Sequence, residues 1–269
     1  MKNIVVYSKL AICYPEKRAI ITGAGSGLGL ELTKLLVQDG WKIAALDIQV
    51  QELEKYACNL LSIYDVDITN RILLQHIIQK FCKENSGIDI LFNNAGVGEG
   101  TLFKDYSLEY WDWIININLK ALIDTTHFVL PEMYKANAGL IVNIASMAGI
   151  ANLPRMSPYN VTKAALVSLS ETLNHELCRT DITVTCITPT FFQSSIMQHS
   201  KGDAAVISSA TKVVATSSLT SLDAARIILK NLHRKKELVR FPFSAHAFFY
   251  TRRWIPNLYK KIVRTFLFK

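Results

Sequence analysis

The stretch Arg18-Ala-Ile-Ile-Thr22-Gly23-Ala-Gly25-Ser26-Gly27-Leu28-Gly29 joins a short β-branched apolar run to a glycine-rich turn, and an apolar-periodic segment follows directly. In that order a strand feeds a helix through backbone that can approach a pyrophosphate closely, while the free N–H groups and positive dipole end of the helix favour an anion. Glycines also make tight turns for purely structural reasons. It is the placement between strand and helix that makes Gly23, Ser26, Gly27, Leu28 and Gly29 candidate nucleotide-binding residues.

Outward from this turn, apolar runs alternate with longer amphipathic stretches. Strands are expected at 18–22, 42–47, 61–66, 89–93, 140–145, 183–188 and 237–240, with helices at 28–39, 49–58, 70–84, 108–134, 158–179 and 222–234. Such alternation predicts an α/β fold: a Rossmann-like, doubly wound parallel sheet of six or seven strands with helices on both faces. A ligand would then sit at the carboxyl ends of the strands. The least patterned region, 191–220, is rich in Ser, Ala and Thr and is expected to form a mobile lid. The expected organisation is a nucleotide-binding catalytic domain over 1–240 and a basic, aromatic tail over 241–269, packed on the domain or at a membrane surface.

Asp47 closes the second expected strand, 18 residues after Gly29. An acidic side chain there can accept both hydroxyls of an adenosine ribose and would repel a 2′-phosphate. Ser26 stands where a site preferring the phosphorylated dinucleotide would place a base. NAD is therefore expected over NADP, although Asp47 could instead only cap the helix that begins near Gln49.

Tyr159 and Lys163 lie four residues apart at the start of an expected helix, so both project from one face. An ammonium beside a phenol favours phenolate, which would lower the tyrosine pKa towards working pH. Tyr-x-x-x-Lys alone is common. Ser146, however, follows the apolar run 140–145 and should lie at a strand's carboxyl end, near the expected site.

With these residues in place the sequence resembles the short-chain dehydrogenase/reductase family over nearly all of 17–242. The resemblance rests on Thr22 to Gly29 as a TGxxxGxG turn, Asn93-Asn94-Ala95-Gly96 after the fourth strand, Asn118 in a long helix, Ser146, and Tyr159-Asn-Val-Thr-Lys163. It implies that Ser146 binds the substrate oxygen, Tyr159 exchanges the proton, and Lys163 tunes Tyr159 and holds the nicotinamide ribose. Asn118 would position a water linking Lys163 to solvent. Asn94, Ala95 and Gly96 would floor the adenosine site, Asp67 would bind the adenine amine, and Pro189 and Ser194 would border the nicotinamide. The bland readings are a helix cap for Asp67 and a satisfied core amide for Asn118. Thr190 departs from the family's usual glycine, which tolerates positive φ, and so points to an altered nicotinamide pocket.

Composition limits the alternatives. The 269 residues are half hydrophobic, enough for one large domain. Five cysteines, without CxxC spacing or a His/Cys cluster, suggest no metal site and a reducing, cytoplasmic setting. The apolar run 4–14 is interrupted by Ser8 and Lys9 and lacks a cleavage site, and no run is long enough to span a bilayer, so secretion and membrane spanning are not expected. The net charge of +8 is local: seven basic residues follow Glu237, the last acid, and without them 23 basic residues face 22 acidic ones.

No nucleic-acid reading motif accompanies that charge. Beyond Pro256 the positions Leu258, Tyr259, Ile262, Val263, Phe266 and Leu267 recur at helical spacing among Lys260, Lys261 and Arg264, predicting a basic amphipathic helix. Three readings stay open for it: packing on the protein or at a dimer contact, resting at an anionic membrane surface, or no role. The first two suit an apolar, lipid-like or steroid-like alcohol or ketone. The family resemblance also implies a homo-oligomer, a dimer or tetramer built on the long helices. The expected activity is interconversion of a secondary alcohol and a ketone; a nucleotide-binding interaction protein without turnover, or an epimerase or dehydratase on the same scaffold, remains the alternative.

Overall fold

A computed structural model of the chain describes residues 8–266. In chain order the elements are α1 (Ser8–Cys13), β1 (Arg18–Thr22), α2 (Gly27–Gln38), β2 (Lys42–Asp47), α3 (Gln51–Glu54), β3 (Leu61–Asp65), α4 (Arg71–Glu84), β4 (Ile90–Asn93) and β5 (Glu99–Gly100). Next come α5 (Leu108–Ile115), a π-helical turn (Asn116–Lys120), α6 (Ala121–Ala136), β6 (Ala138–Ile144), α7 (Ala148–Ala151), α8 (Ser157–Glu176) and β7 (Asp181–Pro189). The chain continues through a 3-10 turn (Ser195–His199), β8 (Lys201–Gly202), α9 (Ala204–Ala215), α10 (Ser221–Leu232), β9 (Leu238–Phe241), α11 (Phe243–Trp254) and α12 (Pro256–Phe266).

Seven strands form one sheet in the order β3-β2-β1-β4-β6-β7-β9, every neighbouring pair parallel. Helices cover both faces, so the central strands are buried on each side and read as unbroken apolar runs. Alternation along them still divides the core. Ile21, Ile43, Phe92 and Val142 point to the layer of α2 and α10, whereas Ile20, Ala44, Leu91 and Ile141 point to that of α4, α6 and α8. Winding reverses between β1 and β4, opening a crevice at their carboxyl ends where Thr22 and Asn93 stand. Arg18 fixes the opposite end, pairing with Asp89 at 2.9 Å. Among the described residues, no helix is long and apolar enough to cross a membrane.

Four expectations change. The helix expected over 49–58 shrinks to α3, because Leu53 alone is buried there and the turns closed by Tyr56 and Ala57 end it. The single helix expected over 108–134 is interrupted by the π turn, which gives Asn118 a register of its own. Segment 191–220 is regular rather than unpatterned: Asp203 caps α9 by accepting from Ala205 and Val206 N–H groups, and β8 pairs with β5. The tail contains α11 as well as the expected α12. α11 packs against α7 and β9, while the Tyr259 hydroxyl of α12 donates to the Ala151 carbonyl at 2.5 Å. The apolar run read at 4–14 is described only from Ser8, and the end of the tail, 267–269, also lies outside the described residues.

Candidate active site

The glycine turn is shaped by what surrounds it. Gly23 and Gly27 hold positive φ. A Cβ on Gly25 would overlap the Gln49 carbonyl, and one on Gly29 the Gly23 carbonyl. From β2, Asp47 Oδ2 accepts the Gly25 N–H at 2.7 Å and Oδ1 accepts the Gln49 N–H at 3.0 Å. The carboxylate therefore braces the turn while lining the crevice. From β4, Asn94 Nδ2 donates to the carbonyls of Thr22 and Gly23 at 3.0 and 2.9 Å, and Thr22 Oγ1 accepts the Asn94 and Ala95 N–H groups. Thus Asn94 and Ala95 tie β4 to the turn.

Above the turn lies a cleft of about 1010 Å3. Gly23, Ser26, Asp47, Asp67 and Asn94 border one end, and Ser146, Tyr159 and Lys163 are also in its wall. An elongated dinucleotide fits this volume; the missing Cβ of Gly29 lets the start of α2 close on the Gly23 carbonyl, and that of Gly25 lets the turn close on Gln49. Leu28 and Gly96 line the same cleft, as do Pro189 and Ser194. Asp67 is exposed, and its Oδ1 accepts from the Thr69 N–H and hydroxyl, both at 2.8 Å, so one oxygen serves the turn before α4.

The four residues of the expected tetrad converge from different elements. β6 delivers Ser146 just past its end, where Oγ accepts the Ala148 N–H at 3.1 Å. α8 supplies buried Tyr159 and Lys163 one turn apart, with Lys163 Nζ 5.6 Å from the phenol ring centre. Lys163 also donates to the Ile144 carbonyl at 2.8 Å. Asn118 is fully buried in the π turn. Its Oδ1 accepts the Val97 N–H at 2.8 Å and its Nδ2 donates to the Val97 carbonyl at 2.9 Å, each end of the amide engaged once. Gly96 leaves the space between Asn118 and Lys163 open.

Burial governs the electrostatics. Desolvation pushes the Tyr159 phenol up to about 12, against a lowering contribution from the Ser146 hydroxyl and with a further rise from Glu99. It brings the Lys163 ammonium down to about 8. The sequence-based expectation is a tyrosine lowered by Lys163; in the fold, burial of the phenol is the largest influence and the net direction is upward. Thr190 is not among the described residues with positive φ, so the threonine fits without strain; its N–H donates to the Phe241 carbonyl at 3.0 Å.

Several site residues were not legible locally. Glu99 is only 2% exposed; Oε1 accepts the Tyr159 N–H at 3.1 Å while Oε2 is buried without a partner among the described residues. Desolvation raises this carboxyl to about 7. Ser195, next in sequence to Ser194, crosses to the glycine turn, its hydroxyl 2.8 Å from that of Ser26. Asn143 links Asn93 to Ser170 beneath the site, at 2.9 Å on each side. Trp113, Met156 and Ile196 pack against the cluster formed by Ile114, Ala148 and Tyr159, and Val206, Val213 and Phe248 extend the apolar wall. A buried polar asparagine inside a strand was the one available signal for Asn143; the others depend on distant segments meeting.

Comparison with known proteins agrees with this geometry. Residues 17–205 match the family described as short chain dehydrogenase. The chain is 31% identical over 188 residues to a 3-oxoacyl-[acyl-carrier-protein] reductase of Thermotoga maritima, covering 68% of this chain and 76% of that protein. Among solved structures it resembles a short chain dehydrogenase/reductase of Burkholderia phymatum in complex with NAD, with TM-score 0.83, 25% identity, and coverage of 90% of this chain and 94% of the other. It also resembles the closed form of a serine dehydrogenase complexed with NADP+, with TM-score 0.76, 27% identity, and coverage of 84% and 95%. With the glycine turn, the parallel sheet and the Ser146, Tyr159 and Lys163 arrangement in one cleft, the chain belongs to the short-chain dehydrogenase/reductase family of oxidoreductases.

Proposed function

We propose that this oxidoreductase interconverts a secondary alcohol and a ketone on an apolar substrate, with NAD as its preferred cofactor. The observation carrying the proposal is a buried phenol, Tyr159, that lines one cleft together with apolar Trp113, Met156 and Ile196 and with Gly23 and Ser26 of the glycine turn. Gly23, Ser26, Gly27 and Leu28 would hold the pyrophosphate, and Asp47 the adenosine ribose. Lys163 would hold the nicotinamide ribose, with Pro189 and Ser194 beside the ring. When bound, the nicotinamide supplies the acceptor or donor of hydride.

The protein's own part is the proton and the positioning. Ser146 would fix the substrate oxygen, and Tyr159 would give that oxygen a proton in reduction or take one in oxidation. A phenol pushed up to about 12 is protonated at neutral pH, which is the form carbonyl reduction requires. The apolar wall excludes water and strengthens the polar contacts inside. Asp47, at the end of β2 and next to Ile48 and Gln49, supports NAD because no cation stands in that short stretch to pair with a 2′-phosphate. Segment 191–220, which places Ile196, Val206 and Val213 in the wall, would act as the lid. Exposed Leu108, Ile123 and Val161 on α5, α6 and α8 support self-association through those helices.

The test is a scan of absorbance at the reduced-nicotinamide band with apolar alcohols and ketones and both cofactors. Turnover of an apolar member, faster with NAD, is the expected result. Cofactor binding with no turnover of any member would instead favour a nucleotide-binding interaction protein.

A further inference from the structure

The residues of α11 fall into two sides. On one, Ser244 and Phe248 line the cleft and Ala245 is buried. On the other, Phe243, Ala247, Tyr250 and Trp254 follow one another at i, i+4, i+7 and i+11, within about 40° of a single line along the helix. All four are exposed, Phe243 at 86% and Trp254 at 73%. Ile255 and Leu258, also exposed, carry this apolar surface round the bend into α12. There Tyr259 turns inward onto Ala151, while Lys260, Lys261 and Arg264 face solvent.

We propose that α11 and α12 form a docking platform for an anionic lipid surface. Trp and Tyr rings such as those of Trp254 and Tyr250 are favoured at the headgroup level of a bilayer, where an apolar body and a polar edge are both accommodated. Charge selects this partner: no acidic residue follows Glu237, whereas the exposed cations Arg253, Lys260, Lys261 and Arg264 lie along the two helices. Cations of this kind draw a protein to anionic headgroups, and each aromatic inserted adds burial of apolar surface. The platform is held in place by the Tyr259 hydrogen bond and by packing of α11 on α7 and β9. Because the opposite side of α11 is a wall of the cleft, docking would bring a lipid-like substrate next to the site. The docking itself does not depend on turnover.

The experiment is co-sedimentation of the full chain with phosphatidylcholine vesicles and with vesicles of phosphatidylcholine and phosphatidylglycerol in equal parts. Binding is expected to the anionic vesicles, to weaken as salt is raised, and to be slight with phosphatidylcholine alone. Lys260→Gln/Lys261→Gln should weaken partitioning about 25-fold at low salt. Trp254→Ser should weaken it about tenfold. All these residues are solvent-exposed, and unchanged thermal melting would show that the variants fold. Equal sedimentation of wild type and both variants, or no binding to anionic vesicles, would overturn the proposal. So would light scattering that shows a dimer dissolved by Phe243→Ser without vesicle binding, since a second copy would then cover the stripe.

Discussion

The carboxylate of Glu99 accepts the backbone N–H of Tyr159 at 3.1 Å, 60 residues away in sequence. Tyr159 is the third residue of α8, whose own N-cap position holds Met156 and offers no side-chain acceptor. Glu99 therefore does the work of a missing local cap. It sits in β5, whose partner β8 belongs to the segment that carries α9, so one short strand links α8, through Tyr159, to that segment.

Glu99 should make stability depend on pH in an unusual direction. Desolvation raises its folded pKa to about 7 from 4.5, with the Tyr159 N–H opposing. The protonated form is thus favoured by folding: its contribution is full below about 4.5 and is lost as pH rises through about 7. Glu99→Gln keeps an acceptor for Tyr159 without the charge. It should exceed wild type by up to about 3 kcal/mol at pH 8 and match it near pH 4.5, as read from urea midpoints. A difference that does not change with pH would contradict this.

Tyr159→Phe removes only the hydroxyl that exchanges a proton in the proposed chemistry. The ring remains, packed with Ile114 and Ala148. Turnover should fall by about two to four orders of magnitude, the range for loss of a general acid or base. Fluorescence titration with NADH should be almost unchanged. Wild-type turnover in the variant would remove Tyr159 from the chemistry.

Asp47→Ala separates cofactor choice from bracing. Loss of hydrogen bonds from the ribose to a carboxylate should weaken NAD about tenfold or more. NADP should be affected less, since the repulsion of its 2′-phosphate is removed as well. The ratio of the two affinities is the quantity to measure, because the variant also releases the Gly25 and Gln49 N–H groups. An equal loss for both cofactors would make Asp47 a purely structural residue.

Gly25→Ala tests the turn by sterics alone, because Gly25 is not among the described residues with positive φ. Its new Cβ would overlap the Gln49 carbonyl and press on the Asp47 carboxylate. Displacing backbone there should cost about 2 kcal/mol, measured by denaturant unfolding, and weaken dinucleotide binding. Stability equal to wild type would show that the turn can relax.

The alternation of apolar runs and amphipathic stretches was enough to specify a parallel α/β sheet, since a strand buried on both faces must be apolar along its whole length. Thr22 to Gly29, Asp47, Ser146, Tyr159 and Lys163 were legible for a related reason: each is placed by a contiguous turn or strand end, or by the spacing of one helical turn. Tertiary structure alone decided the remainder. Glu99 beneath Tyr159, Ser195 against Ser26, the amide of Asn118 locked to Val97, and Phe248 in the cleft wall all join segments far apart in the chain. Tertiary structure also sets the net direction at Tyr159 and Lys163, where burial raises the phenol and lowers the ammonium. Spacing along a helix specifies which charges are neighbours, but how far both are withdrawn from water depends on everything folded around them.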